Sequence, residues 1–246
     1  MALVSDELAM PAAIDTWRRL ERAGEGATSV VWKAEHSVTG RIVALKVAKP
    51  GGENADIVGR EASLLVRVGR RWGPEVVDAG PGFLVIDWVD GLPLAPTGIT
   101  GARESLAAEV AHCVGRALEE LHDAGTFHGD VKPANVILCG RPSSRDSCDD
   151  RAATLIDLGM GGDASEAPFG ATPRYAAPEL RERGEGGQAA DLWALGVLLA
   201  EILDPEIARA SDPRSVLEGG SRMASEPSRW VGALLAAAPG GRPSAG

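Results

Sequence analysis

Two short apolar runs, each tied to a carboxylate and a glycine, restrict what this chain can be more than any other feature. The first lies in Phe127-His128-Gly129-Asp130-Val131-Lys132-Pro133-Ala134-Asn135-Val136-Ile137-Leu138, where a loop holding an acid, a lysine and an amide runs directly into an apolar strand. The second is Leu155-Ile156-Asp157-Leu158-Gly159, an apolar strand that ends in a carboxylate and a glycine. Polar groups carried at strand ends in this way suit phosphoryl transfer, which asks for positioning and charge neutralisation more than for covalent chemistry. Asp130 could accept a hydroxyl proton and Lys132 could steady a moving phosphate. Asn135 and Asp157 both offer oxygen atoms to a hard cation such as Mg²⁺.

Length and charge narrow the remaining classes. A chain of 246 residues can bury roughly 70 to 75% of its extended surface, enough for one large domain or two closely coupled lobes. The formal net charge of −10 argues against nucleic acid and anionic membranes as partners, since both are held mainly through Lys and Arg. Three cysteines, Cys113, Cys139 and Cys148, lack Cys-x-x-Cys spacing, and an odd number in so long a chain does not make a disulfide framework. The first 17 residues hold Asp6, Glu7 and Asp15 but no Lys or Arg, unlike a secretory leader. The apolar stretch Leu192 to Leu203 is too short for a bilayer and carries Glu201. A cytoplasmic location is the expectation.

Periodicity places these motifs on elements. Trp17 to Ala23, Val30 to Glu35 and Arg41 to Val47 read as strands, with a turn over Ser37 to Gly40. Asp56 to Val68 reads as a helix through Ile57, Leu64, Leu65 and Val68, and strands resume over Val76 to Ala79 and Phe83 to Trp88. Asp90-Gly91-Leu92-Pro93 marks a change of composition taken as a lobe boundary. Beyond it, Ala102 to Ala124 carries an apolar stripe of Leu106, Val110, Val114, Leu118 and Leu121, while Asp191 to Leu203 is apolar nearly all round and belongs in a core. Pro205, Pro213, Gly219, Gly220 and Pro227 punctuate short helices, and Ser228 to Ala238 gives one more. The polar segment Arg141 to Arg151 reads as a surface loop inserted between strands.

Further residues extend the chemistry. Gly24-Glu25-Gly26-Ala27-Thr28-Ser29 joins two strands with residues small enough for backbone amides to approach phosphates, Ser29 standing where a third glycine could be. Val43-Ala44-Leu45-Lys46 presents a lysine on a following strand, suited to the α and β phosphates of a nucleotide. Glu61, on the helix, supplies an anion to hold it.

From about Trp17 to Ala245 these motifs resemble the eukaryotic-like protein kinase superfamily, in particular the serine/threonine protein kinases of bacteria. The resemblance implies an α+β, bilobal protein-kinase-like fold: a small antiparallel β lobe with one helix, and a larger, mainly helical lobe. It implies an N-terminal extension over 1–16, a kinase domain over 17–246, an N-lobe about 17–88, a hinge about 87–91 and a C-lobe about 92–246, with the family's terminal helix expected to be absent. It also implies ATP and Mg²⁺ as cofactors and a protein substrate.

By the same resemblance Lys46, Glu61, Asp130 and Lys132 form the catalytic set, and Asn135 and Asp157 hold the metal. The nucleotide would meet Gly24, Gly26 and Ser29, an apolar sandwich of Val31, Ala44 and Ile137, and backbone groups of Asp87 and Val89, with Ile86 at the back of its pocket. Thr172, in Ala171-Thr172-Pro173-Arg174-Tyr175-Ala176-Ala177-Pro178-Glu179, would bond near Asp130 and Lys132. Glu179 would pair with Arg242, and Asp191 would tether the loop that carries Asp130. His128 is expected to be packed and hydrogen-bonded, without acid–base duty.

The chain departs from the family pattern at Gly129, where an arginine usually pairs with a phosphorylated activation segment, so activity is expected not to need that phosphate. Leu158 stands where phenylalanine is commoner and is expected to pack as well. A partner protein could complete or dock on the C-lobe. Two competing readings are a nucleotide-binding pseudokinase scaffold and a small-molecule phosphotransferase with a kinase-like fold. The joint presence of Lys46, Glu61, Asp130, Asn135 and Asp157 argues against the scaffold. Lys132, Thr172 and the Ala-Pro-Glu ending argue against the small-molecule enzyme.

Overall fold

The computed structural model describes residues 14–69, 73–139, 152–163, 172–211 and 226–245. They form two compact units, one made of 14–69 and 74–89, the other of Gly73 and everything described from Asp90 onward. The 141–151 segment read as an inserted loop lies outside the described residues. Among the described residues no helix is long and apolar enough to cross a membrane.

The first unit is a five-stranded antiparallel sheet in the order β1 (Trp17–Glu25), β2 (Ser29–His36), β3 (Ile42–Ala48), β5 (Phe83–Asp87), β4 (Val76–Gly80), joined by one helix, α1 (Asn54–Val68). Side chains alternate across a strand, so each register pair shares a face. Val43, Leu45, Val47, Ala34, Phe83 and Val85 bury one face, together with Trp17 and Ile14. Ile14 thus draws part of the expected 1–16 extension into the core. On the opposite face Val31 pairs with Lys46, Lys46 with Leu84 and Ala44 with Ile86. Helix α1 buries Val58, Glu61, Ala62, Leu64 and Leu65, the spacing of one helical face.

The second unit is mainly helical. Helix α2 (Arg103–Asp123) buries Ala107, Val110, Val114, Ala117, Leu118 and Leu121. Helix α4 (Gln188–Leu203) is buried continuously from Asp191 to Ile202, as its all-round apolar sequence demands. Short helices α3 (Pro178–Arg183) and α5 (Pro205–Arg209) flank it, and α6 (Glu226–Leu234) packs against it. A Cβ at Gly196 would meet the Cβ of Leu234 at 2.9 Å, so α4 and α6 approach as closely as they do only with glycine there.

Two small ladders matter most for function. β7 (Thr126–Phe127) pairs with β10 (Gly162–Asp163), and β8 (Val136–Leu138) pairs with β9 (Ala153–Leu155) and β6 (Leu92–Pro93). The loop carrying Asp130 leaves β7 and enters β8, and the stretch carrying Asp157 leaves β9 and enters β10. Both loops are therefore clamped at both ends by paired strands.

Candidate active site

In the first unit, Lys46 lies on β3 with its Nζ 2.6 Å from Glu61 Oε2 on α1. Both are enclosed, at 9% and 2% exposure, and Glu61 is the one charge among the buried residues of α1. A buried carboxylate without a cation would be expensive, so the lysine explains why an apolar helix face tolerates it. The pairing expected from sequence is thus present.

The Gly24 to Ser29 segment closes the hairpin between β1 and β2, with the Gly26 amide on the Ser29 carbonyl at 2.9 Å. Neither glycine has a positive φ, and a Cβ would meet nothing within 4 Å at Gly24 and only the Ser29 carbonyl, at 3.9 Å, at Gly26. Among the described residues nothing demands glycine at these positions. What the small residues leave is open backbone that an anion can approach. Val31 and Ala44 are half-buried on the face that carries Lys46, while the Asp87 side chain is engaged with Arg41 at 2.6 Å and its amide with Glu75.

In the second unit, the Thr172 hydroxyl donates to Asp130 Oδ1 at 2.7 Å, and Lys132 Nζ reaches Asp130 Oδ2 at 2.5 Å and Thr172 Oγ1 at 3.2 Å. Asn135 Nδ2 donates to the Asp130 carbonyl at 2.9 Å and to Asp130 Oδ2 at 3.2 Å. Among the described residues nothing donates to Asn135 Oδ1, which remains a neutral oxygen able to accept a cation. The Asn135 carbonyl accepts from Ile156, one residue before Asp157, so both oxygen-bearing side chains sit at the same end of the β8–β9 ladder. Asp157 has φ +68°, and among the described residues no other non-glycine has a positive φ. Such a conformation costs free energy and persists where surrounding structure fixes it, a pattern common at functional sites.

The Asp130 loop is held from beneath by a single carboxylate. Asp191, 1% exposed at the start of α4, accepts from the amides of His128 and Gly129, both at 2.8 Å, and contacts His122 Nε2 at 3.0 Å. His128 is fully enclosed; its Nε2 donates to the Ile156 carbonyl at 3.1 Å and its Nδ1 accepts from the Asp130 amide at 3.3 Å. One neutral tautomer satisfies both bonds, and burial holds the imidazole below its usual pKa against the nearby carboxylates. It is packed and hydrogen-bonded, as expected.

Gly129 is more than a missing arginine. Its φ is +80°, and a Cβ there would run into the carbonyl of Met160. The loop backbone is thus built around glycine. Leu158 is 1% exposed and packs as a large apolar residue. Glu179 receives a bidentate contact from Arg242, Nη1 to Oε1 at 2.5 Å and Nη2 to Oε2 at 2.9 Å, the pairing the resemblance implied.

One cluster was not foreseen. Arg174 Nε lies 2.6 Å from Glu201 Oε1, and the Tyr175 hydroxyl donates to Glu201 Oε2 at 3.1 Å. Burial raises both the Tyr175 phenol and the Glu201 carboxyl, the latter against the lowering effect of Arg174. The sequence did carry a signal, since a glutamate inside an otherwise apolar helix needs a cation. It did not say which of the 25 Lys and Arg residues would serve.

Set beside known proteins, residues 17–217 match the family described as protein kinase domain. The chain belongs to the protein kinase family. It is 28% identical over 204 residues to calcium/calmodulin-dependent protein kinase type II of Caenorhabditis briggsae, covering 77% of this chain and 37% of that protein. The enzyme of the same name from Caenorhabditis elegans is also 28% identical over 204 residues, covering 77% of this chain and 27% of that protein. The delta subunit of Oryctolagus cuniculus is 29% identical over 205 residues, again covering 77% of this chain and 37% of the relative. The chain thus spans only about a third of the length of these curated relatives.

Proposed function

We propose that this chain is a serine/threonine protein kinase that transfers the γ-phosphoryl group of ATP to a protein hydroxyl with Mg²⁺. The observation that carries the reading is the Thr172 hydroxyl held between Asp130 Oδ1 and Lys132 Nζ. It is a hydroxyl, of the kind a kinase phosphorylates, donating its proton towards the carboxylate assigned as base, with a cation beside it.

In the transfer, a substrate hydroxyl gives its proton to Asp130 as its oxygen bonds to the γ-phosphorus and the bond to the β-phosphate oxygen breaks, releasing ADP. Lys132 offsets negative charge on the moving group, and Asn135 holds the base through its amide. Lys46, kept in place by Glu61, binds the α and β phosphates, and the backbone around Gly24, Gly26 and Ser29 covers them. Val31, Ala44 and Ile137 offer apolar surface to the base, with Asp87 and Val89 bonding to its edge. Asn135 Oδ1 and the Asp157 carboxylate would hold Mg²⁺, which when bound neutralises phosphate charge; two protein oxygens suit an ion that keeps waters and phosphates as its other ligands.

The test is incubation with labelled ATP, Mg²⁺ and basic generic protein substrates, comparing the parent with Asp130→Asn. Loss of the base should slow transfer at least ~10²-fold. Equal rates would overturn the role of Asp130, and ATP binding without any transfer by the parent would overturn the kinase in favour of a scaffold.

A further inference from the structure

The turn that carries Thr172 has no regular structure to hold it. From residue 172 to 177 the backbone is neither helix nor strand; within it the Tyr175 amide bonds the Thr172 carbonyl at 2.9 Å, and at its end the Ala177 carbonyl accepts from the Arg181 amide at 3.1 Å. Among the described residues its ties to the rest of the unit are made largely by side chains. Across from the turn, Lys132 meets the Thr172 hydroxyl itself, and position 129 adds no side chain, being a glycine whose Cβ position is occupied by the Met160 carbonyl.

Arg174 supplies the anchor. Its Nε is paired with Glu201 at 2.6 Å, its Nη2 donates to the carbonyls of Ile207 at 2.9 Å and Ala208 at 3.1 Å, and its Nη1 donates to Ala210. These carbonyls lie in and just beyond the last turn of α5, where a helix leaves acceptors unsatisfied and favours a cation. Glu201 is 2% exposed and has both oxygens engaged, by Arg174 and by Tyr175. The guanidinium therefore ties the turn to both α4 and α5. Only Pro173 separates it from Thr172, and a proline ring fixes φ near −65°, so little slack exists between anchor and hydroxyl.

We infer that Arg174 is a positioning residue: by locking onto Glu201 and the end of α5, it sets Thr172 in register with Asp130 and Lys132. The inference rests on the kinase reading for its catalytic consequence, and on geometry alone for the latch itself. Without the latch the turn loosens, the Thr172 hydroxyl leaves Asp130, and Asp130 and Lys132 lose the contact that fixes their arrangement.

Two measurements on the whole chain decide it. In hydrogen exchange, Arg174→Ala should speed the Tyr175 amide by about tenfold or more beyond any change at the amides of Leu195 to Ala200 in α4, which report the cost of stranding Glu201. In steady-state transfer to a protein substrate, Arg174→Ala should lower kcat by about tenfold and leave KM for ATP within about twofold. In a Thr172→Val background the same substitution should leave kcat unchanged, because the path it acts through is already cut. Arg174→Lys keeps Glu201 paired but lacks the planar fork, so it guards against misfolding and should still lose about threefold in kcat.

An unaltered Tyr175 amide, a parent-like kcat in Arg174→Ala or Arg174→Lys, or losses that multiply in the Thr172→Val background would overturn the inference. If the parent transfers no phosphoryl group, the kinase reading falls while the exchange result still decides the latch.

Discussion

Arg242 is the best place to test the packing of the second unit, because every donor of its guanidinium can be counted. Nε bonds the Ala236 carbonyl at 2.9 Å, Nη1 bonds Glu179 Oε1 at 2.5 Å and the Ala189 carbonyl at 2.8 Å, and Nη2 bonds Glu179 Oε2 at 2.9 Å and the Ala237 carbonyl at 3.3 Å. A guanidinium has five N–H groups, so all are used. The Arg242 Cζ lies 5.2 Å from the Trp193 ring centroid, and the Arg242 and Glu179 side chains are 0% and 5% exposed. Glu179→Ala leaves an enclosed cation facing only neutral carbonyls, and Arg242→Met leaves an enclosed carboxylate.

Either loss should cost about 3 to 5 kcal/mol, against about 1 kcal/mol or less for an exposed pair. At roughly 2 to 4 °C per kcal/mol for a protein of this size, Tm should fall by roughly 6 to 20 °C. Replacing both partners, Glu179→Leu with Arg242→Met, removes both stranded charges and should recover at least about half of the loss. Calorimetry of the parent, the two single variants and the double variant reads all four values. Single losses below about 1 kcal/mol, or a double variant as unstable as the sum of the singles, would refute the argument.

The pair also has an acid signature. Burial alone would raise the Glu179 carboxyl, but the bonds to Arg242 and to its own backbone outweigh this and hold its pKa below the usual value. Its contribution should be complete above about pH 4.3 and lost as pH falls through the lowered folded value, and Arg242→Met should flatten that part of a urea-midpoint profile. His128 acts one step higher. Burial lowers its folded pKa, so the unfolded chain takes up a proton that the folded chain refuses, and stability should decline below about pH 6.5 by at most ~1.4 kcal/mol per pH unit. A His128→Gln variant should lack that slope in the same profile. Gly129→Ala places a Cβ against the Met160 carbonyl at a positive φ and should cost about 2 kcal/mol or more in chemical denaturation. Glu61→Gln removes the charge that holds Lys46 and should raise KM for ATP or lower kcat by at least about tenfold, measured in the transfer assay.

Much of the fold was legible because most of its elements are long and periodic. The first-unit strands and α1 fall within about two residues of their sequence boundaries, since alternation on β3 and the stripe on α1 are strong local signals. The pairs β7–β10 and β6–β8 were not legible, because strands of two or three residues carry no period. Among site residues, Lys46–Glu61, the Asp130 loop and Glu179–Arg242 could be read because a motif fixed each member. Arg174–Glu201 could not, since only tertiary packing decides which cation answers a buried carboxylate. The conformation of Asp157 and the crowding at Gly129 were equally hidden, being properties of backbone that spacing does not encode.

The tether at Asp191 bears on when the Asp130 loop can take its shape. The two amides it gathers belong to residues made more than sixty positions earlier, so a growing chain can present Asp130 long before anything fixes the shape around it. The loop's folded shape therefore arrives late in synthesis, once the helix bearing Asp191 has emerged and docked. A ribosome-bound fragment ending ahead of that helix would hold Asp130 yet lack the carboxylate that shapes its loop.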